Sequence, residues 1–341
     1  MKIAIVNDVA SVVEVLRRVV ADWPEHQLLW VAQDGADAIA MCRWQLPDIV
    51  LMDIVMPNMD GVEATRCIMQ ATPCPILIVT ADIGLCADQV YQALAYGALD
   101  AVDTPTLGGK DARRAAQVLM EKIARVGHMQ VKAPPVAVLR KPLPPPKLAL
   151  GSKTAAKKLV VIGASAGGPA ALAVILRALP PQFTAALVIV QHIDPGFTDG
   201  MTTWLQQQSV LPVRVAREDD QPQAGTILVA GTNEHLLFKN HDTLGYVAQS
   251  PEDVYHPSID VFFHSVARQW RATATGVLLT GMGRDGAVGL KAMRAAGFHT
   301  IAQDRQTSSV YGMPKAAAAL DAASQILPLD LIAKTLANQF S

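Results

Sequence analysis

A serine near the middle of the chain stands in a glycine-rich turn, Gly163-Ala-Ser165-Ala-Gly-Gly168. An apolar run precedes this turn and a helical pattern over residues 170–179 follows it, which predicts that Ser165 lies between a strand and a helix. Glycines permit the sharp turn, and the first N–H groups of the helix point at developing negative charge. The pattern suits a serine nucleophile, but it suits a phosphate-binding turn or a close packing contact equally well.

A base and a carboxylate follow two other predicted strands. His192 comes after the apolar run at residues 186–190, and Asp285 comes shortly after the run at residues 276–279. If these strands are parallel neighbours of the strand before Ser165, all three side chains reach one edge of a sheet. His192 would then take the proton of the serine hydroxyl, Asp285 would orient the imidazole, and backbone N–H groups would hold the oxyanion. Taken singly, His192 is equally a loop histidine and Asp285 a helix N-cap.

Acidic and hydroxyl side chains also follow the predicted strands in the first third of the chain. Asp8 follows the first strand, Asp53 the third and Thr80 the fourth. At the carboxyl edge of a parallel sheet, two carboxylates can share a hard cation such as Mg²⁺ while one of them attacks a phosphoryl group. The alternative is that Asp8 and Asp53 only cap the helices that follow them.

Strands and helices must alternate to place these side chains. The hydrophobic pattern predicts such an alternation in the first 126 residues, and a second one from residue 159 with an antiparallel hairpin at residues 235–248. This predicts an α/β protein with two doubly wound parallel sheets. The predicted strands are 3–6, 28–32, 49–52, 76–79 and 101–102, then 159–162, 186–190, 213–216, 226–229, 276–279 and 300–303. The predicted helices of the first half are 12–21, 36–44, 61–71, 87–96 and 112–126.

Length and composition predict that these strands and helices form two domains. A chain of 341 residues exceeds the usual size of one core. No acidic residue occurs between Arg125 and Lys158, where prolines and basic residues cluster. We therefore predict domains at residues 1–125 and 158–341, joined by a basic, proline-rich linker at residues 126–157.

The composition also argues against several classes of protein. The formal net charge of −1 argues against a general nucleic-acid binder, and no apolar run is long enough to enter and cross a membrane. The apolar run at the start meets polar residues at once, which predicts a first strand rather than a secretion signal, and hence a cytoplasmic protein. The four cysteines lack metal-site spacing and are expected to be reduced packing residues.

Several motifs of the first domain together resemble a response-regulator receiver domain. They are Leu51-Met-Asp53-Ile-Val-Met-Pro57-Asn-Met-Asp60-Gly61, then Thr80-Ala81 and Gly97-Ala98. The resemblance implies a flavodoxin-like fold with Asp53 as phosphoacceptor, Asp8 and Asp53 as ligands of Mg²⁺, and Thr80 as the hydroxyl that moves to the phosphoryl group. The chain departs from the family pattern at three positions, which implies weaker Mg²⁺ binding and altered switching. Asn7 replaces an acid, Ala101 an aromatic residue and Thr104 a lysine.

Five motifs of the second domain resemble, in order along the chain, the catalytic domain of chemotaxis-type protein-glutamate methylesterases, the CheB family. They are Gly163-Ala-Ser165-Ala-Gly-Gly-Pro169, Val190-Gln-His192-Ile-Asp-Pro-Gly-Phe-Thr198, His256-Pro-Ser-Ile-Asp260-Val, Leu279-Thr-Gly-Met282-Gly-Arg-Asp285-Gly286 and Ser309-Val-Tyr-Gly-Met-Pro314. The resemblance implies a Rossmann-like domain that needs no cofactor. It also implies a catalytic triad of Ser165, His192 and Asp285.

The same resemblance implies an oxyanion region beside the nucleophile, at Ala166, Gly167 and, through its backbone, Met282. Ala166 stands where the family often has threonine, so a side-chain donor is missing while the backbone N–H remains. Within the family, Asn7 together with Asp103-Thr-Pro-Thr-Leu-Gly108 is more similar to the methylesterases of Wsp-type surface-sensing systems than to those of flagellar chemotaxis.

The function that this resemblance implies is hydrolysis of γ-glutamyl methyl esters on the cytoplasmic helices of a methyl-accepting chemoreceptor, with deamidation of some receptor glutamines. It also implies that a CheA-type histidine kinase phosphorylates Asp53 and thereby loosens a receiver that covers the Ser165 cleft. Two alternatives stay open. One is a non-catalytic module that binds receptor or kinase. The other is a nucleotide-binding enzyme with residues 163–168 as its phosphate turn, although it lacks an acidic residue about twenty positions on to hold a ribose.

Overall fold

The contacts of the chain fall into two units, residues 1–134 and 135–341. The computed structural model describes residues 1–81, 84–105, 112–129, 131, 156–193, 195–250 and 255–340. Residues 130 and 132–155, which hold most of the predicted linker, lie outside the described residues. The linker and the predicted domain boundaries therefore stay predictions.

Five apolar runs of the first unit form one parallel sheet. Its strands are β1 Lys2–Val6, β2 Gln27–Ala32, β3 Ile49–Met52, β4 Ile76–Thr80 and β5 Asp100–Asp103, in the order β2-β1-β3-β4-β5. Its helices are α1 Ala10–Ala21, α2 Gly35–Trp44, α3 Gly61–Ala71, α4 Ala87–Ala95 and α5 Ala112–Val126. β3 and β4 are buried along their whole length, as expected of central strands that helices cover on both faces.

The start of α3 is fixed to the end of β3. Asp60 is the N-cap of α3, and its side chain accepts the Glu63 N–H at 2.8 Å. The next residue, Gly61, lies so close to the carbonyl of Asp53 that a Cβ would collide with it. Only glycine lets the helix begin against the residue that follows β3, and this sets the backbone around Asp53.

A second parallel sheet forms in the second unit, in the order β14-β13-β12-β6-β7-β9-β8. Its strands are β6 Lys158–Ala164, β7 Ala186–Gln191, β8 Val213–Val215, β9 Ile227–Val229, β12 Thr273–Leu278, β13 His299–Gln303 and β14 Gln325–Leu327. β10 His235–Phe238 and β11 Leu244–Val247 form a separate antiparallel pair. The helices are α6 Gly168–Ala178, α7 Thr198–Gln207, α8 Ile259–Gln269, α9 Ala287–Ala295, α10 Met313–Ala319 and α11 Leu329–Gln339.

The chain enters this second sheet at its centre. β6 lies between β7 and β12, so the chain first builds the sheet outward on one side and then returns to build the other. The direction of strand addition therefore reverses beside β6, and such a switch point opens a crevice at the carboxyl ends of the strands. Ser165 follows β6 and lies at this crevice.

The observed architecture confirms the predicted fold class, two doubly wound parallel sheets with a small antiparallel hairpin. The edge strand β14 was not predicted, because its first two residues are exposed and it has no buried apolar run. Among the helices that the structure describes, none combines the length and the apolar character that crossing a membrane requires.

Candidate active site

Ser165 stands in the turn between β6 and α6. Its N–H donates to the carbonyl of Thr280, in the loop after β12, at 3.1 Å, and its own carbonyl accepts the Gly168 N–H at 2.8 Å. Gly167 has a φ of +74°, in the left-handed region that favours glycine, so the chain reverses within two residues and α6 begins at Gly168. The structure therefore has the strand, serine and helix in the predicted order.

His192 is the first residue after β7 and lies beside Ser165. In the parallel pair of β6 and β7, Ala164 is opposite Gln191, so the next positions of the two strands are Ser165 and His192. The ladder continues by one bond, from the His192 N–H to the Ala164 carbonyl at 3.0 Å. The side chain of His192 is largely buried, and its ring stacks on that of Tyr255 with centroids 5.0 Å apart.

Asp285, in the loop between β12 and α9, is buried and accepts four hydrogen bonds. His192 Nε2 lies 2.8 Å from Oδ2, and the Ile259 N–H donates to the same oxygen at 2.7 Å. The Ser258 hydroxyl and the Asp260 N–H each donate to Oδ1 at 3.0 Å. Three of the four donors thus belong to the N-terminal turn of α8, where the helix dipole favours a negative charge.

These donors decide the charge of Asp285. Burial raises the pKa of its carboxyl, but the hydrogen bond and charge of His192 and the amides of α8 outweigh burial and hold the pKa below its ordinary value. Asp285 is therefore ionised at neutral pH, as a residue that orients an imidazole must be. Because Nε2 faces Asp285, Nδ1 is the ring nitrogen that remains for Ser165.

The structure brings His192 and Asp285 into contact and places Ser165 on the adjacent strand end. In the described part of the chain, no hydrogen bond joins the Ser165 hydroxyl to the His192 ring. Such bonds are often long or poorly aligned in a free enzyme and tighten only when substrate binds. The arrangement can therefore support nucleophilic catalysis, with the serine and the base on neighbouring parallel strands.

Asp260 completes a reciprocal arrangement of two helices. Asp285, just before α9, accepts amides from the first turn of α8, while Asp260, in that turn, accepts the Gly289 N–H of α9 at 2.6 Å. A Cβ on Gly289 would stand 2.6 Å from Phe263 Cβ, so glycine is needed for this close approach. Burial raises the pKa of Asp260, and the charge of Asp285 raises it further. The two helices thus hold each other where Asp285 turns towards His192.

The loop after β12 lies against the nucleophile turn. Thr280 Oγ1 is 3.0 Å from the Ala166 carbonyl, and a Cβ on Gly281 would stand 2.7 Å from Ser165 Cβ. Met282 follows in the same loop and is 41% exposed. Backbone N–H groups of the turn and the loop are thus candidates for holding an oxyanion. The individual oxyanion roles stay predictions, for Ala166, Gly167 and Met282.

A second set of polar side chains meets at the carboxyl edge of the first sheet. The carboxylate of Asp53 accepts the Ile54 N–H at 2.7 Å and a hydrogen bond from Asn7 Nδ2 at 2.8 Å. Burial raises the pKa of Asp53 and the charge of Asp8 adds to the rise, whereas hydrogen bonds from backbone amides and from Thr80 oppose it. Asp8 and Thr80 therefore each lie close enough to Asp53 to act on its carboxyl.

The carboxylate oxygens at this edge fit a hard cation. Asp8 and Asp53 are carboxylates whose like charges act on each other, and Mg²⁺ binds proteins through one or two carboxylates together with water and phosphate oxygens. Asn7 is engaged at both ends, because its Oδ1 accepts the Val9 N–H at 2.8 Å while its Nδ2 bonds Asp53. Within the described ranges, no group of three or more His, Cys, Asp or Glu side chains is arranged to hold a metal.

The departures from the receiver pattern near β5 have observable surroundings. The Thr104 N–H donates to the Thr80 carbonyl at 2.8 Å, and Ala101 is buried. Lys122 of α5 donates to the Ala101 carbonyl at 2.7 Å and to Asp100 at 2.9 Å. This lysine therefore binds the beginning of β5, at the opposite end from Thr104. Residues 106–108 of the predicted Wsp-type motif lie outside the described residues.

Comparison with known proteins agrees with the resemblance of both halves of the chain. Residues 160–336 match the family model of the CheB methylesterase, and residues 3–107 match that of the response regulator receiver domain. The chain belongs to the CheB methylesterase family. A protein-glutamate methylesterase/protein-glutamine glutaminase of Bordetella avium is 55% identical over 341 residues, which cover 100% of this chain and 98% of that protein. The counterpart of the group 3 operon in Pseudomonas putida is 54% identical over 343 residues, with 100% of both chains covered.

A solved structure supports the assignment of the second unit to this family. The catalytic domain of the Thermotoga maritima CheB methylesterase is 32% identical, with a TM-score of 0.51, and the match covers 53% of this chain and 98% of that domain. The predicted family, a receiver joined to a CheB-type methylesterase, is thereby confirmed. The roles of the individual site residues stay predictions.

Proposed function

We propose that this protein is a protein-glutamate methylesterase whose catalytic triad is Ser165, His192 and Asp285. The observation that carries the proposal is the 2.8 Å contact between His192 and an ionised Asp285. His192 follows β7, which pairs with β6, the strand that precedes Ser165. The names of the full-length relatives in Bordetella avium and Pseudomonas putida support the same activity.

In the first half-reaction, Ser165 Oγ attacks the carbonyl carbon of a glutamyl methyl ester while His192 takes the serine proton. Asp285 keeps the ring oriented and stabilises the imidazolium that forms. The tetrahedral intermediate then expels methanol, whose oxygen receives the proton from His192. A glutamyl ester of Ser165 remains.

In the second half-reaction, water replaces methanol. His192 removes a proton from the water as its oxygen attacks the acyl carbonyl, and returns it to Ser165 Oγ when the acyl–serine bond breaks. The products are free serine and a glutamic acid side chain, which releases its proton to solvent at neutral pH. Backbone N–H groups at Ala166, Gly167 and Met282 are proposed to hold the oxyanion in both steps.

The same centre is proposed to deamidate receptor glutamines. A glutamine side chain has the same acyl portion as the glutamyl ester, and ammonia takes the place of methanol as the leaving group. The names of the relatives include a glutaminase activity, which supports this extension. Each turnover of either kind creates a negative charge on the substrate, which alters helix packing there.

The first unit is proposed to control this activity through phosphorylation of Asp53. Asp8 and Asp53 would hold Mg²⁺, which supplies positive charge against the incoming phosphoryl group when it is bound. The hydrogen bond from Asn7 Nδ2 to Asp53 must rearrange when Asp53 carries the phosphoryl group. The Thr80 hydroxyl, which acts to lower the pKa of Asp53, is proposed to move with that group.

The proposed substrate is the set of cytoplasmic helices of a methyl-accepting chemoreceptor, and the proposed phosphodonor is a CheA-type histidine kinase. Both meet the protein in the cytoplasm. The residues at Asn7 and Thr104 favour a receptor system of the Wsp type over a flagellar one.

Methanol release from a methylated receptor fragment tests the proposal. We expect Ser165→Ala to lower kcat by about 10³- to 10⁶-fold, because the nucleophile is lost. Ser265→Ala is the matched control, since Ser265 is a serine of α8 whose hydroxyl bonds the Phe262 carbonyl at 2.7 Å, and it should retain activity. Equal rates for Ser165→Ala and the wild type would refute the triad. A wild type that binds the receptor but stays inert with a phosphodonor would favour the non-catalytic module.

A further inference from the structure

A buried glutamine lies between the nucleophile and the base. Gln191 ends the otherwise apolar strand β7 and is 3% exposed. Its Nε2 donates to the Ser165 carbonyl at 2.9 Å and to the His192 carbonyl at 3.1 Å. One carboxamide thus joins the backbones of the two residues whose side chains must meet in the reaction.

The oxygen of this carboxamide has no such partner. Gln191 Oε1 is buried and unpaired among the described residues, and it lies over Gly168, where a Cβ would collide with it. Exchange of the amide oxygen and nitrogen would set an oxygen against two carbonyls, so the hydrogen-bond partners assign the orientation. A buried acceptor without a partner is destabilising. Gln191 is therefore a costly residue to bury at this position, and a role for its two N–H hydrogen bonds would account for its presence.

We propose that Gln191 is a positioning residue that holds the Ser165 turn and the His192 backbone at a fixed separation, and this inference rests on the proposed function of Ser165. The last backbone bond of the β6–β7 ladder is from His192 to Ala164, and Gln191 adds one further link beyond it. The Ser165 carbonyl accepts both this link and the Gly168 N–H. The peptide plane after Ser165 is thus fixed from two sides, which limits where the hydroxyl can point.

Gln191→Met removes both N–H donors while keeping the length of the side chain. Because a displacement of about 1 Å at the reacting atoms lowers rates by about 100-fold, we expect kcat on a methylated receptor fragment to fall by about 10- to 100-fold, with KM within about twofold. Gln208→Met is the matched control, since Gln208 is a buried glutamine after α7 that bonds Arg177 Nε at 2.8 Å. It should leave kcat unchanged once rates are referred to the folded fraction, measured by near-ultraviolet circular dichroism.

A small serine-directed probe separates positioning from receptor binding. An alkyl fluorophosphonate forms a P–O bond to Ser165 Oγ and releases fluoride while His192 takes the proton, so its labelling rate reports the geometry of nucleophile and base without a receptor. We expect Gln191→Met to slow labelling of the full chain by the same factor as kcat. A purely structural role would lower the labelled fraction at completion and leave the rate constant unchanged.

Gly168→Ala perturbs the same contact from the other side. Its Cβ would displace Gln191 Oε1, so we expect slower labelling in the wild-type background. In the Gln191→Ala background this collision is removed, and only Ala164 Cβ, at 3.0 Å, stays close to the new Cβ. Gly168→Ala should then change the labelling rate by less than about twofold. Equal effects of Gly168→Ala in both backgrounds would overturn the proposal, as would a Gln191→Met loss confined to KM.

Failure of the proposed function has a different signature. If the wild type neither releases methanol nor reacts with the probe at Ser165, the triad and the positioning role both fall. If wild-type Ser165 reacts and Gln191→Met reacts at the same rate, the methylesterase assignment stands and the positioning role is wrong.

Discussion

Asp53 and Asp285 each lie beyond the carboxyl end of a parallel strand, one in each of the two sheets. Their pKa values are shifted in opposite directions. Burial raises the pKa of Asp53, and the neighbouring charge of Asp8 raises it further. Burial also raises the pKa of Asp285, but His192 and the amides of α8 bring it below the ordinary value. Both carboxylates accept several neutral donors, so the number of hydrogen bonds does not separate them.

The nearest titratable partner makes the difference. Asp285 faces the imidazole of His192 and the N-terminus of a helix. Asp53 faces a second carboxylate. A strand end in an α/β protein is therefore only a place for a carboxylate. Its neighbour decides whether the pKa of that carboxylate is held low, as at Asp285, or raised further, as at Asp53.

The largest expected effect comes from removing the charge of Asp285. Asp285→Asn keeps the shape of the side chain but offers an N–H₂ group to His192 Nε2, which favours the wrong tautomer of the ring. We expect kcat for methanol release to fall by about 10³- to 10⁴-fold with KM nearly unchanged. Asp304→Asn is the control, because Asp304 is a turn aspartate that accepts the Thr307 N–H at 2.9 Å. A loss below tenfold would contradict an orienting role for Asp285.

A smaller effect is expected from adding a negative charge beside Asp53. Asn7→Asp places a third carboxylate beside Asp8 and Asp53, so we expect the full chain to bind Mg²⁺ about tenfold more tightly, measured by titration calorimetry. Asp53→Asn should weaken binding in the same assay. Methanol release without a phosphodonor should stay at the wild-type rate in both variants. An unchanged Mg²⁺ affinity in Asn7→Asp would place the cation elsewhere.

The smallest effect concerns stability and its pH dependence. The folded-state pKa of Asp53 is raised, so the folded chain binds more protons and loses stability as pH rises through that pKa. Asp53→Asn removes this loss, and we expect the first unit to be more stable at pH 7 and the gain to shrink in acid. Hydrogen exchange of β3 and β4 in the full chain measures it.

For Asp285 the sign of this dependence is reversed. Its folded-state pKa is lowered, so its contribution to stability is present above the unfolded pKa and is lost as pH falls through the folded one. Asp88→Asn, at an exposed aspartate of α4, is the control for the substitution itself. A destabilised Asp53→Asn at pH 7 would contradict the comparison between the two carboxylates.

The sequence predicts most of the fold because central parallel strands are continuous apolar runs, which are easy to read. It also predicts that Ser165 and His192 approach each other, since both directly follow such runs. The edge strand β14 lacks this signal because two of its three residues are exposed. Sequence reasoning thus works best where a strand is buried on both faces.

The rest of the site depends on contacts between distant segments, which periodicity does not encode. Tyr255 stacks on His192, and Ser258 donates to Asp285, although each pair is separated by more than twenty residues. A serine before a helical pattern indicates an N-cap at Ser258. The pattern does not indicate that the Ser258 hydroxyl also donates to Asp285. Gln191 had a signal of its own, a polar residue at the end of an apolar strand.

The exchange of hydrogen bonds between α8 and α9 has an evolutionary consequence. Asp285 accepts amides of α8 and Asp260 accepts an amide of α9, so each helix supplies a terminus for a carboxylate of the other. A substitution of Asp260 would leave the Gly289 N–H, at the start of α9, without its acceptor. We therefore expect selection that keeps Asp285 in place to extend to Asp260, and to Gly289, which allows the helices to approach.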